Sequence, residues 1–216
     1  MRMTLREWQK KVKSKELILY NCSEFFKGND EWVTFPIGIG YKFFFWNDTV
    51  DAAQLGSHNE LALCLVDPHT DKQRRPRAKN RESILKTISY LGFANAYLFT
   101  SNEYFKQIPN YKFVFSPEGN GIDCHRHYEA LIAGCIPIVE RSKGIEDKYG
   151  DCPILYTDDY SEMTQTYLEG KYEEMLDKEW DFSRLLLSSY SLKDQIQIKA
   201  NGNFWCNKFS GHKWYE

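Results

Sequence analysis

The fold is decided by residues 113–139, which read FVFSPEGNGIDCHRHYEALIAGCIPIV. One apolar run ends at Ser116, a turn with Gly119 and Gly121 follows, and a helical pattern stops at Gly134 before a second apolar run. Strand, turn, helix and strand in this order predict a βαβ crossover, the repeating unit of a parallel sheet.

Short apolar runs alternate with amphipathic stretches through most of the remaining chain. This alternation predicts an α/β fold with a Rossmann-like, mainly parallel sheet and helices on both faces. The predicted strands are Leu17–Asn21, Lys42–Trp46, Leu61–Val66, Ala96–Thr100, Lys112–Ser116, Ile136–Glu140 and Ile154–Tyr156. The predicted helices are Thr4–Lys13, Asn80–Leu91, Asp123–Ala133, Asp159–Leu176 and Phe182–Ala200.

Composition narrows the class of protein. A length of 216 residues predicts one domain, and a net charge of -2 gives no surplus for binding nucleic acid. The first residues show no signal-peptide pattern, and no apolar run is long enough for a transmembrane segment. The six cysteines are scattered, which favours reduced thiols over a disulfide framework. We therefore expect a cytoplasmic protein.

The glycine turn suits an anion. Gly119 and Gly121 allow positive φ and close backbone approach, and the helix after them directs its first N–H groups towards whatever lies beside the turn. This arrangement favours a phosphate group. Asp123 is the expected N-cap of the helix.

The helix has two different faces. At about 100° per residue, Tyr128 falls on an apolar arc, whereas His125, Arg126 and Glu129 share a polar one. That polar arc is either free for a ligand or a solvated face with an internal His125–Glu129 pair. A metal cluster of Cys124, His125 and His127 is disfavoured because side chains so close on a helix diverge, so no metal site is predicted.

Two parts of this stretch resemble a known family. Residues 118–121 followed by 128–139 resemble the donor-site signature of GT-B glycosyltransferases, and Arg126 three residues before Glu129 is most similar to the exostosin family. The resemblance implies one lobe of a GT-B fold. It also implies transfer of a sugar from a nucleotide-diphosphate donor to a glycan or other hydroxyl acceptor, without a metal ion or other cofactor.

Family roles carry over by position. Glu129 would accept hydrogen bonds from the ribose hydroxyls, and Arg126 with the amides of residues 119–121 would hold the diphosphate. Glu118 and Asp123 would line the sugar side. The remaining expected donor-site residues are Ser116, Gly119, Asn120, Gly121, His125 and Arg81.

The basic run at 72–81 allows two interpretations. It is a solvated loop, or it supplies a phosphate contact through Arg77 or Arg81 at the start of the next helix.

The spacing between Glu118 and Glu129 is longer than in many retaining enzymes of this fold, which favours an inverting transferase. Such an enzyme needs a general base near the acceptor. Asp67 and His69 follow the predicted strand Leu61–Val66, where sites of α/β proteins collect, although Asp-Pro is equally an ordinary turn. Glu118 is the third catalytic candidate.

The chain departs from the family in length. Residues 59–216 would form the nucleotide-sugar-binding core, and residues 1–58 an N-terminal extension or a reduced acceptor platform. Further domains or a partner would then supply the acceptor lobe. The alternative is a non-catalytic nucleotide-sugar-binding or interaction module of a larger glycosyltransferase.

Overall fold

The computed structural model describes residues 1–22, 24–28, 31–40, 42, 55–77, 79–96 and 99–216. The predicted strand Lys42–Trp46 lies outside this part of the chain, except for Lys42, which is helical. The described strands are β1 (Arg2–Thr4), β2 (Phe25–Gly28), β3 (Glu31–Val33), β4 (Glu60–Cys64), β5 (Tyr111–Phe115), β6 (Ile136–Glu140), β7 (Leu155–Thr157) and β8 (Glu179–Asp181). The α-helices are α1 (Leu5–Gln9), α2 (Arg81–Tyr90), α3 (Ser101–Gln107), α4 (His125–Ile132), α5 (Lys143–Tyr149), α6 (Gln165–Leu176) and α7 (Leu192–Ser210).

The main sheet is parallel, in the order β4-β5-β6-β7. Leu63 pairs with Val114 and Phe115 pairs with Ile138, which places the carboxyl ends of these strands along one edge. The apolar runs of β5 and β6 are buried along most of their length, as central strands of a parallel sheet require. The predicted α/β class with a parallel sheet is confirmed.

Helices cover both faces of the sheet. On one face the rings of Phe113 and Tyr172 of α6 lie 6.0 Å apart, and those of Phe93 and Phe115 lie 5.1 Å apart. Val114 points to the opposite face and is also fully buried. The core therefore occupies both sides of β5.

The chain changes direction beside β4. Cys64 pairs with Phe115 of β5 on one side and forms a parallel bridge with Asn95 on the other. The chain thus passes from β4 outward to Asn95 and then back across to β5. Loops leaving the carboxyl ends of β4 and β5 diverge, and such a switch point is where ligands bind in open α/β sheets.

Capping residues in the sequence explain where helices begin. Asn80 caps α2 and exchanges hydrogen bonds with Ser83, so the helix begins where the sequence predicts. Thr100 and Glu103 form the same kind of capping box on α3, a helix that the sequence analysis missed. The short helix α5 was also missed.

Several predicted elements were wrong. Leu17–Asn21 forms only isolated bridges, Ile18 with Leu186 and Tyr20 with Ile39. Ala96–Thr100 is not a strand of the sheet where it is described, because the pairing beside β4 is a single bridge at Asn95.

The last predicted helix is displaced along the chain. α7 begins at Leu192 instead of Phe182, because residues 183–189 form two 3₁₀ turns and Ser191 provides the cap. Within the described ranges, none of the helices has the length and apolar character that a membrane span needs. The six cysteines are free thiols.

Candidate functional site

A buried histidine closes the turn between β5 and α4. His127 Nε2 lies 3.1 Å from the main-chain oxygen of Ile122, and Nδ1 lies 2.6 Å from the Ser116 hydroxyl. A carbonyl only accepts, so Nε2 carries the proton and Nδ1 accepts from Ser116. Burial lowers the pKa of His127 to about 3, which keeps the ring neutral. Ser116 therefore holds the turn and does not face a ligand.

The turn between β5 and α4 is also held by three arginines of the basic run. Arg74 Nε donates to the main-chain oxygen of Gly119 at 3.1 Å, and Arg75 donates to the carboxylates of Asp71 and Glu140, both at 2.9 Å. These side chains act as a structural clamp, a role that neither interpretation of the run foresaw.

Arg81 is the most buried member of this clamp, at 4% exposure. Its guanidinium donates to the main-chain oxygens of Glu118 at 2.7 Å, Pro117 at 3.0 Å and Asp67 at 3.3 Å. Arg77 is exposed. The guanidinium of Arg81 is thus committed to main-chain oxygens.

Glu118 is enclosed by the clamp. Its carboxylate pairs with Arg74 at 2.5 Å and lies 3.6 Å from Arg75. Its N–H donates to Glu140 at 2.9 Å. The carboxylate of Glu118 is therefore paired with neighbouring arginines. Glu118 is not among the residues that line the pocket described below.

The two glycines use only part of the conformational freedom that glycine allows. Neither Gly119 nor Gly121 has positive φ. Gly119 is needed for space, because a Cβ there would lie 2.9 Å from Arg81 Nη2, whereas Gly121 has open surroundings. The N–H of Gly119 donates to the oxygen of Gly121 at 3.0 Å, and Asn120 is exposed.

Asp123 does not cap α4, so this prediction was also wrong. Cys124 occupies the N-cap position without a side-chain hydrogen bond. Asp123 instead accepts from the N–H of Ile37 and from the Tyr149 hydroxyl, both at 2.9 Å. Burial raises the pKa of Asp123, and Lys148 at 3.8 Å opposes that rise. The first turn of α4 is left without a side-chain cap.

An open pocket of about 520 Å³ lies at the carboxyl edge of the sheet, where β4 and β5 diverge. His125, Arg126 and Glu129 of α4 form one wall. Leu65 and Asp67, just after β4, form another. The remaining lining residues come from two segments that the sequence analysis did not assign to the site: Gly40, Lys42, Phe99, Thr100, Ser101, Tyr104 and Phe105.

Glu129 is held from two sides. Its Oε1 accepts from the N–H of Gly40 at 3.1 Å, and its Oε2 accepts from the Tyr104 hydroxyl at 3.1 Å. His125 Nδ1 lies 2.9 Å from the oxygen of Gly38, which can only accept, so Nδ1 carries a proton. His125 therefore binds a backbone oxygen, and Glu129 binds a backbone N–H and a phenol, in place of the internal pair that was the alternative.

The side chain of Arg126 differs from those of His125 and Glu129 in its contacts. Its buried Nε has no hydrogen-bond partner, and it makes no ion pair within the part of the chain that the structure describes. Arg126 and His125 are the first two residues of α4, a helix whose first turn has no side-chain cap. Both features provide positive potential at one end of the pocket.

The catalytic candidates Asp67 and His69 lie in different positions relative to the pocket. Asp67 lines the pocket, and its Oδ1 accepts from the N–H of His69 at 2.8 Å. The side chain of His69 is exposed and is not among the lining residues. Of the carboxylates in the pocket, Asp67 is the one whose Oδ2 has no hydrogen bond within the described residues.

The structure brings together Asp67, His125, Arg126 and Glu129 from the predicted site. It turns Ser116, Glu118, Asp123 and Arg81 towards partners inside the protein. A capping box at Thr100 and Glu103 is the sequence signal that could have revealed α3 and thereby Tyr104. No group of three or more His, Cys, Asp or Glu among the described residues is placed to hold a metal ion.

The chain matches no protein-family model, and no curated protein matches it.

Proposed function

We propose that the protein is a glycosyltransferase that moves a sugar from a nucleotide-diphosphate donor to a glycan or other hydroxyl acceptor. One observation carries the proposal. The pocket at the switch point holds the carboxylate of Glu129 and, on the same face of α4, the guanidinium of Arg126, which has no ion pair among the described residues. A positive and a negative group at this spacing suit the diphosphate and the ribose of one nucleotide.

The diphosphate is the ligand group for Arg126. A guanidinium forms paired hydrogen bonds with phosphate oxygens, and the start of α4, which has no side-chain cap, adds the positive end of a helix dipole. Lys42 lines the same pocket and adds a second cation. In the transfer step the bond between the sugar carbon and the diphosphate oxygen breaks. These cations stabilise the charge that grows on the departing nucleoside diphosphate, so we propose that the donor binds without a metal ion.

The acceptor hydroxyl needs a base. We propose that Asp67 takes the proton of this hydroxyl while its oxygen attacks the sugar carbon from the side opposite the diphosphate. The attack inverts the configuration of that carbon. Asp67 is preferred over His69 because its carboxylate lines the pocket and keeps an oxygen without a hydrogen bond within the described residues.

Two accompanying proposals concern the setting of the reaction. Six free thiols fit the reducing cytoplasm. The acceptor glycan is bound partly by further domains or by a partner protein, because the pocket is open to one side.

The test is release of nucleoside diphosphate from UDP-, GDP- and CDP-linked sugars, because transferases also pass their sugar slowly to water. We expect release from sugars of one nucleotide class, and a decrease of about 100-fold or more in Arg126→Ala. Arg6→Ala, an exposed arginine paired with Asp177 on the surface, is the matched control and should retain the wild-type rate. Binding without release in any class would support the non-catalytic module instead.

A further inference from the structure

Tyr104 and Glu129 form a buried hydrogen bond between two helices. Tyr104 lies on α3 and Glu129 on α4, and the phenol oxygen is 3.1 Å from Oε2 of the carboxylate. We propose that Tyr104 is the positioning residue that orients Glu129 and thereby makes the pocket selective for ribonucleotides over deoxyribonucleotides. This inference rests on the proposed function, in which Glu129 accepts the ribose hydroxyls.

The direction of the hydrogen bond is fixed by chemistry. An ionised carboxylate has no proton to give, so the phenol O–H of Tyr104 must donate. Burial, together with the negative charge of Glu129, raises the pKa of Tyr104 well above its ordinary value. The phenol therefore remains a donor throughout the usable pH range.

Gly40 completes the arrangement from the other side. Its N–H donates to Oε1 at 3.1 Å, so each carboxylate oxygen of Glu129 has one donor among the residues that the structure describes. A carboxylate offers about four acceptor positions in total. With the described donors in place, one position on each oxygen remains for the paired hydroxyls of a ribose.

The same two donors keep Glu129 away from Arg126. Residues three apart on a helix are neighbours and commonly form an ion pair. Arg126 makes none within the described residues, although Glu129 is its neighbour on α4. Because Tyr104 and Gly40 hold the carboxylate, both charged groups stay available to a ligand.

The test compares each of UDP, GDP and CDP with its 2′,3′-dideoxy counterpart by calorimetric titration into the full chain. The wild type should bind the ribose form of its nucleotide about tenfold or more tightly than the dideoxy form. Tyr104→Phe should lower that preference by about tenfold, because the carboxylate loses a charge-assisted hydrogen bond. Affinity for the dideoxy form should stay within about twofold, since that ligand lacks the hydroxyls that Glu129 would bind.

Tyr160→Phe is the matched control. The Tyr160 hydroxyl donates to the carboxylate of Glu140, also at 3.1 Å and in the core, but neither residue lines the pocket. This variant should keep the ribose preference of the wild type. Gly40→Ala provides a second test if Tyr104→Phe does not fold. Its Cβ would lie 3.1 Å from Glu129 Oε1 and would disturb the same carboxylate from the opposite side, so it should lower the same preference.

The outcomes separate the two proposals. A wild type that binds a nucleotide without ribose preference contradicts the role of Glu129 in the proposed function. A ribose preference that Tyr104→Phe leaves unchanged overturns the inference about Tyr104 alone. Equal weakening of both nucleotide forms also overturns it, because Tyr104 would then support the fold without orienting Glu129.

Discussion

The guanidinium of Arg81 donates a 2.7 Å hydrogen bond to the main-chain oxygen of Glu118. Two further hydrogen bonds from the same group reach Pro117 and Asp67. One side chain thus connects the loop after β4 with the turn after β5, the two segments that diverge at the pocket. The shape of the pocket therefore depends on a residue that is not among those lining it.

Replacing Arg81 should destabilise the fold. Arg81→Ala would remove a donor from three main-chain oxygens, of which only that of Glu118 keeps a longer hydrogen bond from another arginine of the clamp, Arg75, at 3.4 Å. A buried unsatisfied polar group costs about 1–3 kcal/mol. We expect the free energy of unfolding to fall by about 3 kcal/mol or more, measured by urea titration. Arg77→Ala removes an exposed arginine from the same run and should change it by less than about 0.5 kcal/mol. Similar small losses in both variants would contradict the clamp.

The two glycines of the turn should respond differently to the same substitution. A Cβ at Gly119 would lie 2.9 Å from Arg81 Nη2, a group that three hydrogen bonds hold in place. At Gly121 the nearest atom would be 3.8 Å away. Gly119→Ala should therefore cost about 1–3 kcal/mol in unfolding free energy, and Gly121→Ala less than about 0.5 kcal/mol. Equal losses of unfolding free energy in the two variants would show that the Arg81 side chain moves aside at little cost.

Lys13 makes stability depend on pH. The side chain is buried, donates to the oxygen of Trp8 at 2.8 Å and lies 4.2 Å from the Trp8 ring centroid. Burial lowers the pKa of Lys13 from 10.5 to about 7. Between these values the unfolded chain binds a proton that the folded chain lacks, so stability rises with pH by at most about 1.4 kcal/mol per unit.

The variant Lys13→Met tests this pH dependence. Between pH 7 and 9 the wild type should gain about 2 kcal/mol over Lys13→Met in urea unfolding. Burial lowers the pKa of His58 and raises that of Cys135, so neither group changes charge in the folded protein in this window. Their titration in the unfolded chain is common to both proteins and cancels in the comparison. Lys86→Met removes an exposed lysine and should show no such gain. A difference that stays constant with pH would mean that Lys13 remains charged in the fold.

Asp67 and His69 can be separated by activity. Asp67→Asn keeps the oxygen that accepts from the His69 N–H, so the loop should retain its conformation. Without a base, transfer should fall by about 100-fold or more while nucleotide affinity stays unchanged. His69→Ala alters an exposed side chain and should transfer at the wild-type rate. Loss of activity in His69→Ala alone would reassign the base.

Local patterns in the sequence were sufficient for the centre of the fold. Apolar runs at β5 and β6, the glycine stop at Gly134 and the periodicity of α4 are all features of neighbouring residues, and the crossover follows from them. The caps of α2 were predictable for the same reason, since Asn80 and Ser83 lie within one turn.

The partners of the candidate residues were not predictable, because they are distant in the chain. Glu129 binds Gly40, which is 89 positions away, and Arg74 binds Glu118, which is 44 positions away. A basic run next to an acidic turn has the same sequence whether its arginines bind a phosphate group or the carboxylates of the protein itself. Only the fold distinguishes an arginine used internally, such as Arg81, from one without an ion pair in the described part of the chain, such as Arg126.

The most direct test of the central claim is calorimetric titration of UDP, GDP and CDP, each with and without Mn²⁺, into the wild type and into Arg126→Ala and Glu129→Ala. We expect one nucleotide to bind without metal, and each substitution to weaken it by about tenfold or more, as loss of a charged hydrogen bond implies. Arg6→Ala should bind like the wild type. Absence of binding by all three nucleotides, or binding that neither substitution changes, would contradict a donor site in this pocket.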